Sequence, residues 1–196
     1  GSCPVRKDTI VLTVTAAPIV SASANQTVCE NNSTVQLAGG VTGGANTGIW
    51  TTLGSGTFTP NPTTLNAQCV PSITDLSAGT VQLVLTSTNM GNCEAESDTM
   101  EVTFTGPPIV DAGADTISVC QNAPTVSLSG SVSGATTTGK WTTSGGGIFQ
   151  PNNLDMNANY QPSPADVNSG SIMLYLESTG NGSCVPEYDS ILVLFT

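Results

Sequence analysis

Histidine is absent from this 196-residue sequence, and lysine and arginine together number only 3 against 14 acidic residues. A net charge of −11 excludes nucleic-acid binding, which needs clustered cations to displace phosphate counterions. It excludes an anionic membrane surface for the same reason. Without histidine the chain also lacks the commonest general base and zinc ligand, which argues against hydrolytic or metal-assisted catalysis. No apolar run approaches 18 residues, so direct membrane insertion by a helix is not expected, and no signal peptide is read at the amino terminus. Aromatics are few: 2 Trp, 3 Tyr and 4 Phe. Gly, Ser, Thr and Asn abound instead, a balance that suits β-structure with many turns and near-zero helix content. The length fits one large or two small domains, each of roughly 90 to 100 residues.

The stretch GATTTGKW, Gly134 to Trp141, imitates a phosphate-binding Gly-x-x-x-x-Gly-Lys loop. Its last position, which should offer a hydroxyl to magnesium, holds Trp141. The upstream stretch GGANTGIW, Gly43 to Trp50, repeats the glycine and tryptophan but puts Ile49 where the lysine stands. What recurs is a turn leading into a strand, so nucleotide binding is rejected.

That recurrence extends along the chain. Offset by 91, Cys29–Thr105 and Cys120–Thr196 agree at about 35 of 77 positions, among them Trp50/Trp141, Phe58/Phe149, Asp75/Asp166 and Cys93/Cys184. GSCPVRKDTIVLTVT (1–15) matches GNCEAESDTMEVTFT (91–105) and GSCVPEYDSILVLFT (182–196), so the chain opens on the final strand of a third copy. The sequence reads as an interior stretch of a longer array. The expected organisation is a final strand of a preceding repeat at 1–15, one repeat at 17–105 and another at 107–196. Residues 9–15 should be extended and able to pair with a neighbouring edge.

Within each copy, strand signals follow at short intervals: IVSASANQTV, TVQLAGGV, GIWTT, a Gly-rich passage, Asn66–Val70, TVQLVLTST and DTMEVTFT. Seven short strands with these turns predict an all-β chain of tandem immunoglobulin-like antiparallel β-sandwiches in an extended array. Trp50 and Trp141 fall on the third strand and are read as core residues in preference to sugar-stacking platforms. Asp75 and Asp166, in a corner D-x-x-x-G, should accept backbone N–H bonds there. No second carboxylate recurs beside them, so the chain is not read as an enzyme and no catalytic or cofactor-binding residue is assigned. DAGAD, Asp111 to Asp115, has carboxylates for calcium, but its twin SASAN has none, and no metal or cofactor is assigned.

The succession TVCEN…GxWTT…GxGxF…DLxAGTVxLxLTSTxxGNC…SDTMxVTFT resembles the tandem immunoglobulin-like and PKD-like repeats of giant Bacteroidota cell-surface adhesins of the SprB gliding-motility type. The resemblance covers essentially the whole chain. It implies export by the type IX secretion system, an extracellular cell-surface location, and a stalk or filament role in gliding motility or attachment. The partners it implies are neighbouring repeats of the same chain, then surface polysaccharide or other surface proteins. Alternative readings are a carbohydrate- or protein-binding module of an exported multidomain protein, and an enzyme accessory domain. DTI, DTM, DTI and DSI match the Asp-Ser/Thr-apolar O-glycosylation pattern of that phylum, which makes Thr9, Thr99, Thr116 and Ser190 glycan candidates. The plainer account of these tripeptides is an Asp that starts a strand.

Six cysteines suit an oxidising setting, and their spacing lacks zinc-type pairs. Cys69, standing where the second copy has Tyr160, should be a buried thiol. Pairing within a repeat, Cys29–Cys93 and Cys120–Cys184, would contribute roughly 4 kcal/mol each by loop closure. Sandwich topology opposes it, because a strand of about eight residues holds the two turns roughly 26 Å apart, against the ~7 Å a disulfide allows. The preferred pairing is therefore Cys29–Cys184 between repeats, with Cys3, Cys93 and Cys120 bonded to further copies.

Overall fold

The computed structural model describes residues 1–196. Its elements run β1 (Pro18–Ser21), β2 (Gln26–Cys29), β3 (Val35–Gln36), β4 (Gly40–Gly43), β5 (Thr47–Thr52), β6 (Thr57–Thr59), β7 (Gln68–Val70), α1 (Ile73–Ala78), β8 (Thr80–Thr88) and β9 (Ser97–Thr105). The same succession recurs as β10 (Pro108–Asp111), β11 (Thr116–Val119), β12 (Val126–Ser127), β13 (Ser131–Gly134), β14 (Thr138–Thr143), β15 (Ile148–Gln150), β16 (Asn159–Gln161), α2 (Pro164–Ser169), β17 (Ser171–Thr179) and β18 (Tyr188–Phe195).

The chain divides into two compact units. The first comprises residues 1–25, 35–75 and 81–101, and the second residues 26–34, 76–80 and 102–196. In the first, β5 pairs antiparallel with β8, setting Trp50 opposite Leu85, while β3-β7-β6 and β1-β4 make smaller sheets. Period-two patterning explains β8: Val81, Leu83, Leu85 and Ser87 point inward and alternate with half-buried or exposed neighbours.

In the second unit the sheet order β11-β18-β17-β14 accompanies β12-β16-β15 and β10-β13. Trp141, Leu174, Leu176, Ile191 and Val193 from the first sheet share one core with Val126 and Tyr160 from the second, which makes a two-layer sandwich. Each fully buried Leu or Ile contributes roughly 1.5–3 kcal/mol. The all-β, immunoglobulin-like expectation holds.

Three local expectations need correction. IVSASANQTV is two strands, because Ser23 adopts φ 75° and turns the chain between β1, which pairs with β4, and β2, which pairs with β9. Gly113, with φ 98°, makes the corresponding break between β10 and β11. The sheets are also not antiparallel throughout. Gln26↔Val102 through Cys29↔Thr105, and Thr116↔Leu192 through Val119↔Phe195, are parallel ladders, since each joins an early strand to the last strand of its copy rather than to a hairpin partner. Finally, the corner before β8 and its twin before β17 are six-residue helices, α1 and α2, where turns were expected.

Residues 1–17 enter no ladder, and Val5, Ile10, Val11, Leu12 and Val14 are exposed. The final strand expected at 1–15, and its pairing with a neighbouring edge, are therefore not formed in this structure.

Close packing around the tryptophan yields a first prediction. A Cβ at Gly130 would sit 2.6 Å from Trp141 Cζ2 and 2.8 Å from Leu176 Cδ2, both inside a filled core. Gly130→Ala should therefore destabilise the second unit by about 1–3 kcal/mol through overpacking, read as a lower urea midpoint at unchanged slope.

Candidate functional site

Cys29 ends β2, where the chain reverses sharply: Asn32 N–H donates to the Cys29 carbonyl (3.0 Å) and Glu30 N–H donates to the Thr105 carbonyl (2.9 Å). This turn presents three side chains. Cys29 is bonded to Cys184, with Cα atoms 4.8 Å apart, well inside the span a disulfide tolerates. Asn31 Nδ2 donates to the Glu187 carboxylate (2.8 Å) and the Val185 carbonyl (3.2 Å), while Asn31 Oδ1 accepts from Val185 N–H (3.2 Å). Asn32 Nδ2 donates to the Ser183 carbonyl (3.0 Å). The bond and its flanking amides all lie within the second unit, and both sulfurs belong to buried residues. One covalent bond and four directed hydrogen bonds thus fix residues 29–32 against residues 183–187. Asn31 and Asn32 escape a reading of the sequence, although a paired-amide turn beside a cysteine is a signal that could have found them.

Ladder register shows why Cys120 does not take the place of Cys29. Val119 lies opposite Phe195 at the end of β18, and Cys184 precedes Tyr188 at its start. At about 3.3 Å per residue the two ends are separated by over 20 Å, three times a disulfide's reach. Cys3 and Cys120 are free and exposed, Cys93 is free and half-buried, and Cys69 is free and buried. Burial, reinforced by the Asp75 charge, pushes the Cys69 thiol up to about 11, so it stays protonated and inert at neutral pH.

The recurring aspartate corner is structural. Asp166 is 4 % exposed, and its carboxylate accepts from Gly146 N–H (2.8 Å), Ser163 N–H (2.9 Å) and Tyr160 O–H (2.8 Å). Ser163 completes a reciprocal cap on α2, accepting from Asp166 N–H through its hydroxyl, and Gly170 closes the helix at φ 80°. Asp75 repeats the arrangement with Ser55 and Ser72 N–H donors at 3.0 and 2.9 Å. Tyr160 adds a bond from Gly147 N–H (3.0 Å) and one from the Thr143 hydroxyl (3.1 Å), which Cys69 cannot replace in the first unit. Ser163→Ala should lower the thermal midpoint by an amount equal to about 1 kcal/mol, the usual value of a helix N-cap, measurable by calorimetry.

Trp50 and Trp141 are 1 % and 0 % exposed, and their indole N–H groups donate to the Leu65 and Met156 carbonyls at 3.1 and 3.3 Å. Lys140 of the GATTTGKW stretch is exposed on β14 opposite Glu177, a cross-strand neighbour of opposite charge. In DAGAD the Asp111 carboxylate accepts from Gly113 N–H (2.8 Å), and no cluster of three metal-ligating side chains occurs in the chain. Thr9, Thr99 and Thr116 are exposed and Ser190 is half-buried. Their neighbouring aspartates have backbone work: Asp98 accepts from Ala22 and Thr99 N–H, and Asp189 from Ala112 and Ser190 N–H, all at 2.7–2.9 Å. Asp8 accepts from Thr9 N–H at 2.8 Å.

No family model and no curated protein matches this sequence. Solved structures do. Two structures of titin domains I67–I69, one an I-band fragment and one an E-to-A variant, superpose at TM-score 0.52 with 12 % identity, covering 93 % of this chain and 66 % of theirs. The insect immune protein hemolin covers 92 % of this chain at TM-score 0.47 and 12 % identity, and this chain spans 47 % of hemolin's length. At such identity the likeness to the titin domains establishes the fold alone: the sandwiches are immunoglobulin-like. No helix is long and apolar enough to cross a membrane.

Proposed function

We propose that this chain is a structural stalk or filament segment of a large secreted cell-surface adhesin serving gliding motility or attachment, with 17–105 and 107–196 as its repeats and 1–15 as the last strand of a preceding one. The observation that carries this reading is the Cys29–Cys184 bond, which ties a cysteine of one sequence copy to a cysteine of the next across 155 residues. A bearing element under tension needs such a tie, because a disulfide does not yield to forces that strip a sandwich strand by strand. Disulfide use fits an oxidising, extracellular setting. Sparse charge and few exposed aromatics leave little material for a specific ligand surface, and the Pro-containing stretch TGPPIV restricts bending. Exposed Thr9, Thr99 and Thr116, with Ser190, are the proposed glycan acceptors, and the bare polypeptide mass in material from the native organism would refute that part.

Pulling the chain from its ends tests the mechanical reading. With the bond intact, the residues between Cys29 and Cys184 are shielded, and reduction should release about 155 × 0.36 nm, roughly 55 nm, of additional contour. A contour length indifferent to reductant would overturn the mechanical role. Saturable binding to one member of a glycan array would replace the spacer by a recognition module.

A further inference from the structure

We propose that the Cys120 turn and the Cys93 hairpin are two further halves of the lock seen at Cys29–Cys184, and that each takes the complementary half of an adjoining repeat, a role that a second copy of this chain fills head to tail through a Cys120–Cys93 disulfide. This rests on the stalk reading above and adds the residues and the polarity of the joint. Local structure at the free positions repeats that at the bonded ones. Gln121 N–H donates to the Thr196 carbonyl and Ala123 N–H to the Cys120 carbonyl, both at 3.0 Å, as Glu30 and Asn32 do around Cys29. Cys93 N–H donates to Met90 (3.1 Å) as Cys184 N–H does to Asn181 (3.0 Å). The Cys93 sulfur lies 3.7 Å from the Ala16 carbonyl oxygen, and the Cys184 sulfur lies 3.9 Å from that of Gly106.

The polar contacts also have counterparts. Offset by 91, Asn31 corresponds to Asn122, Val185 to Glu94 and Glu187 to Glu96. Asn122 is exposed and carries the same amide, able to donate to a carboxylate and to exchange bonds with a backbone N–H and C=O, and Glu96 keeps the carboxylate. Ser183, whose carbonyl receives Asn32, corresponds to Asn92, whose carbonyl is equally available in type; Ala123 replaces Asn32 and forfeits that one bond. The pairing is heterologous. A turn half meets a hairpin half, so the joint does not close on itself and repeated use generates an open linear array. Cys3, the hairpin cysteine of the 1–15 stretch, belongs to the same class as Cys93.

Chemically, the Cys120 and Cys93 thiols lose two protons and two electrons to a small-molecule disulfide such as oxidised glutathione. One thiolate first displaces one glutathione thiol to form a mixed disulfide, and the second thiolate then displaces the other. Buried Cys69 stays outside this exchange.

The test uses the full chain carrying Cys3→Ser. One preparation adds Cys120→Ser, leaving Cys93 free, and the other adds Cys93→Ser, leaving Cys120 free. Each is incubated alone and mixed with its complement in a glutathione redox buffer, then resolved on non-reducing gels and mapped by peptide mass. The expected result is a Cys93–Cys120 crosslink in the mixture at about tenfold the yield of either symmetric crosslink, the advantage that a directed hydrogen-bonded approach supplies. Asn122→Ala in the Cys120 partner should bring that yield down towards the symmetric level. Symmetric crosslinks as abundant as the mixed one, or glutathione adducts alone, would overturn the proposal. The same maps report Cys29–Cys184 independently: its presence without the mixed crosslink sinks this inference and leaves the stalk reading standing, whereas its absence removes the stalk reading's own support.

Discussion

Reducing Cys29–Cys184 is expected to lower the thermal midpoint of the second unit by about 10–20 °C. Freeing a loop of 155 residues returns up to roughly 5 kcal/mol of chain entropy to the unfolded state, and a chain of this size loses about 2–4 °C per kcal/mol. Calorimetry with and without reductant, repeated on the Cys29→Ser/Cys184→Ser double variant, reads the effect directly. The variant should match the reduced protein and should no longer respond to reductant. Asn31→Ala separates the amide contacts from the bond: with the disulfide intact it should cost about 1–3 kcal/mol, because Val185 N–H loses its acceptor and Glu187 loses a donor. If reduction leaves the midpoint unchanged, the parallel ladder from Gln26 to Cys29 alone holds the segment in place.

Asp166→Ala should destabilise the second unit by about 3–5 kcal/mol, since it strands three donors: two backbone N–H groups and the buried Tyr160 hydroxyl. Tyr160→Phe removes one of the three and should cost about 1–2 kcal/mol. A pH dependence follows from the same geometry. Desolvation by itself raises the Asp75 and Asp166 carboxyls, but the N–H and O–H bonds to Ser55, Gly56 and Ser72 in one case, and to Gly146, Ser163 and Tyr160 in the other, outweigh it and hold both below their usual value of 3.8. A carboxyl whose folded pKa is depressed binds its proton more readily when unfolded. Its contribution is therefore present above the unfolded value and is lost as pH falls below about 4 through the folded one. Urea midpoints taken at pH 6 and pH 3 should fall at the lower pH for the natural chain. Asp166→Asn, which cannot titrate, should show a smaller fall in the second unit.

The period-two runs TVQLVLTST and SIMLYLEST declare their inward faces, and the internal duplication identifies equivalent elements in the two copies. Both tryptophans recur at the same place in the two copies, on the strand that follows a Gly-rich turn, and both are buried as an immunoglobulin-like third strand requires. The cap of α2 is legible as well: Ser163-Pro164-Ala165-Asp166 spells a reciprocal cap with proline at the first turn.

What one-dimensional pattern could not supply was direction and distance. Nothing in IVSASANQTV shows that Ser23 turns to φ 75°, because serine carries no strong preference for that region and the break is imposed by strands belonging to different sheets. The parallel placement of β2 and β11 depends on a partner some 75 residues further along, beyond the reach of local propensity. The aspartates at the second position of the last strands look like ordinary strand edges in sequence, yet Asp98 and Asp189 pin backbone N–H groups at Ala22 and Ala112, far along the chain. By itself the sequence determined the fold class, the repeat and the set of candidate cysteines, since these rest on composition and periodicity. Strand length already favoured Cys29–Cys184 over pairing within a repeat; how closely the two Cα atoms approach, 4.8 Å, and which amides flank the bond, Asn31 and Asn32, were decided only by tertiary structure, because contacts between residues so far apart in the chain exist only once the sheets pack.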